Sequence, residues 1–288
     1  MTEPAGADLL ASPSARANVV ALALAAAREA GALVHSAWRK SPRVEHKGSG
    51  RADLVTRFDR ESERLLRDRL ERATPFPVVG EEAGGERAHG ANEATWFVDP
   101  IDGTTNFVHG HPFYCVSIGL VVGATPVLGV VVAPALGVEW TGSARDGATR
   151  NGEVCSVSGV SAFCDALLAT GFPYDRATSP DNNFDAFVAI KRKCQAVRRC
   201  GSAALDLCLV ADGTYDGYWE KKLAPWDCAA GAALVVAAGG RISDYAGGPA
   251  DVLSGQLLAT NRAIHDALVD ELQKIPSSHL PPAPRYRR

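Results

Sequence analysis

The sequence has little of what marks several protein classes. Its seven cysteines, Cys115, Cys155, Cys164, Cys194, Cys200, Cys208 and Cys228, include no C-x-x-C pair. An odd number at irregular spacing argues against a disulfide framework and against a zinc site, so most read as small apolar residues in a reducing compartment. There is no excess of positive charge: Lys and Arg total 30 against 33 Asp and Glu, a formal net charge of −3. That balance removes the global basic field of a nucleic-acid binder, and Lys191-Arg192-Lys193 with Arg198-Arg199 reads as a solvated face and loop. The N-terminus has no basic segment followed by a continuous apolar core, so no secretory signal is expected. An Ala-rich run over residues 19–27 is interrupted at Arg28 and Glu29 and is too short to span a bilayer. Internal repeats are not visible. The expectation is a cytoplasmic protein without a nucleic-acid or membrane partner.

What is there is an ordinary globular composition, 46% hydrophobic and 22% charged over 288 residues. That length buries a large core as one domain or as two lobes sharing a cleft. Residues 1–15, rich in Ala, Pro and Ser, are expected to be a flexible N-terminus, and 276–288, with four prolines and three arginines, a flexible tail. Between them lies one domain over 16–275, with lobes of about 16–160 and 161–275.

In the first lobe, apolar residues at threes and fours predict a helix over 14–40, and Lys47-Gly48-Ser49-Gly50 a flexible turn. Asp53-Leu54-Val55-Thr56-Arg57-Phe58-Asp59 leads into a second helix, with Asp59 in a first turn that suits a carboxylate. Residues 77–82 read as a strand ending on Glu81 and Glu82. Strands over 95–99, 114–122, 127–132 and 138–141 follow, with a hairpin signal at residues 123–126 and a turn at Asn151-Gly152. If the strands ending on Glu81 and Asp99 are parallel neighbours, both acids emerge at one sheet edge, where α/β ligand sites gather. The second lobe alternates strand and helix, the pattern of a layered α/β unit.

The chain is organised around Trp96-Phe97-Val98-Asp99-Pro100-Ile101-Asp102-Gly103-Thr104-Thr105-Asn106. An apolar strand ends on a carboxylate, Pro100 stops the ladder, and a second carboxylate precedes a turn rich in free N–H groups. Asp99, Asp102 and the Ile101 carbonyl make a compact set of oxygen donors, which hard divalent cations such as Mg²⁺ prefer. The neighbouring turn suits a phosphate anion. Asp227 is the only acid in the apolar helix start Trp226-Asp227-Cys228-Ala229-Ala230-Gly231. Taken with Glu81, Asp99 and Asp102, four such carboxylates would repel strongly without cations between them. His109 and His111 lie nearest the motif but are not paired at metal-ligand spacing.

These segments, in this order, resemble the inositol monophosphatase family. The likeness rests on Asp53-Leu54-Val55-Thr56 with Asp59, Gly80-Glu81-Glu82, residues 99–107, and Trp226-Asp227 with Ala229-Ala230-Gly231, and it runs from about residue 16 to 272. Gly201-Ser202-Ala203-Ala204-Leu205-Asp206 and Tyr218-Trp219-Glu220 look most like bacterial and plant-plastid members. The resemblance implies a mixed α/β, layered αβαβα sugar-phosphatase fold with a metal cleft between two lobes, and a homodimer. It implies one Mg²⁺ on Glu81, Asp99 and the Ile101 carbonyl, and a second on Asp99, Asp102 and Asp227. Glu81 would share a third ion through water. It further implies that Asp59 and Thr104 activate the attacking water while Gly103 and Thr104 N–H groups grip the phosphate. Gly201, Ser202, Ala203 and Glu220 would meet the polyol hydroxyls, with Asp102 and Asp227 beside the ester. Gly171-Phe172-Pro173-Tyr174 departs from the inositol-specialised pattern, which carries small hydroxyl residues after the glycine.

The activity so implied is Mg²⁺-dependent, lithium-sensitive hydrolysis of inositol 1-phosphate or a similar polyol phosphate. Such chemistry needs carboxylates from several segments and no covalent nucleophile, which disfavours a serine, cysteine or histidine enzyme. Two alternatives stand beside it. One keeps the chemistry and changes the substrate to histidinol phosphate, fructose 1,6-bisphosphate or a 3′-phosphoadenosine nucleotide. The other is a regulatory binding protein that retains the fold.

Overall fold

The computed structural model describes residues 7–40, 44–46, 54–85 and 93–275. The expected turn at residues 47–50, Asp53 and the expected tail 276–288 lie outside the described residues.

Helix begins earlier than composition indicated. α1 (Ala7–Ala11) and α2 (Pro13–Ala37) occupy part of the segment expected to be loose. The reason is local: the Ser12 side chain accepts from the Ala15 N–H, and Pro13 sits in the first turn, where its missing N–H costs nothing. At 25 residues α2 is long and apolar enough to cross a bilayer by length and composition alone, which the shorter run at 19–27 did not reveal. Val19, Ala23, Ala27 and Ala30 instead bury its apolar stripe against a sheet.

A short antiparallel ribbon, β1 (Val44–His46) with β2 (Leu54–Thr56), leads into α3 (Arg57–Ala73). Then come β3 (Val78–Gly80), β4 (Ala94–Asp102), α4 (Thr104–Val108), β5 (Cys115–Val122) and β6 (Thr125–Ala133). β7 (Val138–Ser143), β8 (Gly147–Arg150) and β9 (Glu153–Cys155) complete a seven-stranded sheet in the order β3-β4-β5-β6-β7-β8-β9. Only β3 and β4 run parallel, with Val78 opposite Trp96, so Glu81 and the end of β4 emerge at the same edge. Pro100 does not end β4. The strand continues to Asp102 with its pairing to β5 shifted between Asp99 and Asp102, an irregularity that absorbs the missing proline N–H.

β10 (Leu167–Thr170), α5 (Phe184–Lys191), β11 (Ala196–Arg198), α6 (Ala203–Ala211) and β12 (Gly217–Lys221) follow. The chain finishes with α7 (Pro225–Ala237), β13 (Arg241–Ser243), β14 (Gln256–Thr260) and α8 (His265–Gln273). Their five strands form a mixed sheet in the order β11-β10-β12-β14-β13.

Burial resolves five layers. Trp96, Val98, Ile118 and Leu120 face α2 and α3, whereas Phe97, Cys115 and Val131 face the interior with α6 and α7. That alternation is the two-residue period of a strand. Ala169, Tyr218, Leu257 and Ala259 close the interior from the smaller sheet, and Leu168, Trp219 and Leu258 turn outward to α5 and α8. The order is αβαβα, as the resemblance implied.

The close seat of α7 on the larger sheet aims the start of that helix at the end of β4. Phe97, Gly119, Gly129 and Gly142 lie in one row across β4 to β7. A Cβ on Gly119 would stand 2.6 Å from the Ala229 Cβ, and one on Gly129 2.2 Å from the Ala230 carbonyl oxygen. Glycines there let the helix backbone touch the sheet. Ser117, paired opposite Asp99, donates to the Trp226 carbonyl at 3.4 Å and so ties the sheet to the residue before Asp227.

Candidate active site

Asp59 and Asp99, on the larger-sheet side, are each oriented by their own stretch of chain. Asp59 is fully buried at the third position of α3. Its Oδ2 accepts from the Thr56 N–H at 2.8 Å and the Thr56 hydroxyl at 2.6 Å, a capping box that sets the carboxylate's orientation. The other oxygen, Oδ1, is 3.3 Å from the Thr104 hydroxyl, which also donates to the Ile101 carbonyl at 3.0 Å. Asp99 Oδ1 accepts from the Ile101 N–H at 2.9 Å. Asp59, Thr104, Ile101 and Asp99 therefore form one connected cluster at the end of β4. Gly103 caps α4 with φ of +90°, a left-handed conformation that places the turn without a Cβ penalty.

Asp102 faces the second half of the chain. Its Oδ2 accepts from the Ser202 hydroxyl at 2.6 Å and the Ala204 N–H at 2.7 Å. Ser202 is itself the cap of α6, accepting from the Leu205 N–H at 3.2 Å, and is buried. The Ser202 hydroxyl thereby ties Asp102 to the start of α6. Asn106 bridges the same junction, donating to the Phe113 carbonyl at 2.7 Å and the Cys200 carbonyl at 2.8 Å. A Cβ on Gly103 would lie 3.2 Å from the Gly201 carbonyl oxygen, so the phosphate turn and the Gly201-Ser202-Ala203 segment adjoin.

Asp227 occupies the third position of α7 and accepts from the Ala224 N–H at 2.7 Å. Burial pushes its carboxyl well above the usual range, and the like charges of Glu81 and Asp102 push it further. Burial likewise pushes Asp102 up to about 6, against the hydrogen bonds from Ser202 and Ala204, with Glu81 adding repulsion. Glu81, Asp102 and Asp227 thus feel one another although they come from three separate segments. Among the described residues no three His, Cys, Asp or Glu side chains stand at chelating spacing. The donors are carboxylates and a carbonyl, all oxygen and mutually repelling. That chemistry fits hard divalent cations.

The smaller sheet contributes Glu220 near the end of β12. Tyr218 OH donates to Glu220 Oε2. Burial pushes Glu220 up to about 7, opposed by the Tyr218 hydrogen bond and the Arg199 charge and reinforced by Asp102. His109 and His111 are exposed, and the buried Cys228 thiol contacts the Ala224 carbonyl at 3.6 Å, a packing position.

One positioning group escaped the sequence reading. Glu63 is buried on α3, one turn after Asp59, and accepts from the Glu82 N–H at 2.6 Å and the Ala83 N–H at 2.9 Å. It holds the turn that carries Glu81. The only signal was its helical spacing from Asp59, which a surface ion pair would share.

Comparison with known proteins agrees with this picture along the whole fold. A profile of the inositol monophosphatase family matches residues 15–277. The inositol-1-monophosphatase of Synechocystis sp. is 40% identical, covering 92% of this chain and 92% of its own. The protein of Pseudomonas aeruginosa named Nus factor SuhB is 37% identical, covering 91% of this chain and 97% of its own. The solved inositol monophosphatase of Anabaena (Nostoc) sp. superposes with a TM-score of 0.80 at 40% identity, covering 89% of this chain and 96% of that one. The chain belongs to the inositol monophosphatase family. It is an enzyme, a phosphatase.

Proposed function

We propose that this chain is a Mg²⁺-dependent phosphomonoesterase that hydrolyses inositol 1-phosphate, or a closely similar polyol phosphate, to the polyol and inorganic phosphate. The observation that carries the reading is the hydrogen-bonded chain Thr56–Asp59–Thr104–Ile101–Asp99, set beside the like-charged group Glu81, Asp102 and Asp227. The name of the Synechocystis relative supports the polyol.

Glu81, Asp99 and the Ile101 carbonyl would hold one ion, and Asp99, Asp102 and Asp227 a second, with Glu81 sharing a third through water. Bound divalent cations supply Lewis acidity, acidifying a water and screening the charge of a phosphate dianion. The remaining work falls to the chain. Asp59, with Oδ2 held by Thr56, keeps Oδ1 toward the Thr104 hydroxyl, so Thr104 can pass its own proton to Asp59 Oδ1 as Oγ1 takes one from water. N–H groups of Gly103 and Thr104 would bind phosphate oxygens and hold them for in-line attack. Gly201, Ala203 and the backbone of Ser202 would border the polyol, and Glu220 would accept from two vicinal hydroxyls. Phosphate release from inositol 1-phosphate, beside histidinol phosphate, fructose 1,6-bisphosphate and a 3′-phosphoadenosine nucleotide, tests the substrate. A preference for the nucleotide would overturn the polyol.

A homodimer is part of the proposal. Phe184 and Val188, four residues apart on α5, are both exposed and would offer an apolar face to a second copy. Light scattering reading a monomer at micromolar concentration would reject it. A relative bears the name Nus factor SuhB rather than that of a phosphatase, which favours a second reading, a regulatory binding protein that retains the fold. Capture of the same partners by wild type and by Asp102→Asn would separate that role from catalysis.

A further inference from the structure

Glu220 lies on a floor made for it. β10 and β12 are parallel neighbours with Thr170 opposite Trp219, which brings Gly171 beside Glu220. A Cβ on Gly171 would fall 1.9 Å from Glu220 Oε2 and 2.1 Å from Oε1. The carboxylate occupies the volume that any other side chain at 171 would need. Tyr218, fully buried and two residues earlier on the same strand face, donates its phenol to Glu220 Oε2. The carboxylate is thus confined by a missing side chain on one strand and a hydrogen bond from within its own.

The charges around it keep that hydrogen bond one-way. Burial and the neighbouring carboxylates of Glu220 and Asp206 push the Tyr218 phenol well above its ordinary range, so it stays protonated and can only donate to a carboxylate. Asp206, buried in α6 with no hydrogen-bond partner for Oδ1, adds to the negative crowding. Arg199 is the opposing cation, lying 5.9 Å from the Phe172 ring centroid. Fixing Oε2 leaves the rest of the carboxylate to be presented in one orientation, which is what recognition of two adjacent hydroxyls requires.

We propose that Tyr218 and Gly171 are positioning residues that determine specificity for a polyol leaving group by holding the Glu220 carboxylate in a single orientation. This rests on the reading of Glu220 as the acceptor of polyol hydroxyls. Both act through Glu220, the group they adjoin.

The test compares kcat/KM for inositol 1-phosphate with kcat/KM for p-nitrophenyl phosphate, which has no hydroxyls for Glu220 to read. Tyr218→Phe is expected to lower the ratio of the two about tenfold through KM for the polyol, the size of one hydrogen bond to a charged group. Gly171→Ala is expected to lower it at least as far, and serves where Tyr218→Phe fails to fold. Glu220→Gln lowers the same ratio if the underlying reading is right. A fall with Glu220→Gln but none with Tyr218→Phe or Gly171→Ala overturns the positioning role. An unchanged ratio with Glu220→Gln overturns the reading of Glu220 itself. Equal losses on both substrates in all three variants would mark a merely structural role and also overturn the inference.

Discussion

The two sides of the cleft are held by different kinds of contact. On the phosphate side three acids are fixed within their own segments, Asp59 by Thr56, Asp99 by Ile101 and Asp227 by Ala224, and Asp102 is held from afar, by Ser202 and Ala204. On the polyol side Glu220 is held by Tyr218 on its own strand and by the space at Gly171, forty-nine residues away in the chain. Local holding orients those three acids whatever the packing of the sheets, while Asp102 depends on the junction with α6. Distant holding makes recognition depend on the packing of β10 against β12. The first design suits a reaction common to many substrates, and the second suits a property that changes with substrate.

The largest effect should come from the phosphate side. Asp99→Asn is expected to lower turnover by at least about 100-fold, the scale of losing a group that stabilises transition-state charge. It should leave the fold intact, with thermal stability equal or slightly raised in chelator, because one of several crowded like charges is gone. Steady-state kinetics and a melting curve check both halves. A smaller loss is expected where support is indirect. Glu63→Ala frees the Glu82 and Ala83 N–H groups and loosens the turn carrying Glu81. Activity should fall about tenfold and the Mg²⁺ needed for half-maximal rate should rise, as when a supporting partner of a ligand is removed. A Mg²⁺ titration of the variant reads this directly.

The smallest effect on activity lies outside the cleft. His265 is buried between Thr260, 2.8 Å from Nδ1, and Ser243, 2.9 Å from Nε2. Burial and the Arg241 charge lower its pKa to about 4. The unfolded chain takes up that proton near pH 6.5, before the folded one does, so stability is lost as pH falls from about 6.5 toward 4, by on the order of 3 kcal/mol. His265→Asn should flatten stability over that window in urea titrations while turnover at neutral pH is little changed.

The same contrast explains how much could be read from the sequence. Asp59, Asp99, Asp102 and Asp227 each close or open an element within a short motif, so spacing and flanking residues pointed to them; the parallel pairing of β3 with β4, only a condition in the sequence, is met in the fold. The five-layer order was legible through the family resemblance and the strand–helix alternation. The helix read over 14–40 is α2, but α1 was not legible, because it lies inside a stretch whose composition favours disorder. The continuation of β4 past Pro100 was missed because a proline in a strand ordinarily ends it, and the register shift that accommodates it is a property of the partner strand. The bond from Ser202 to Asp102, a hundred residues away, is invisible in one dimension. Glu63, Gly171 and Tyr218 stayed hidden for the same reason: their importance lies in what they touch.

The most direct test of the central claim is phosphate release from inositol 1-phosphate across a Mg²⁺ titration from full chelation upward, with wild type and Asp99→Asn side by side. The account predicts no release from wild type in chelator, full recovery on adding Mg²⁺, and no recovery in Asp99→Asn at any Mg²⁺ concentration. Release from wild type that is indifferent to chelation, or near-normal turnover by Asp99→Asn, would contradict it.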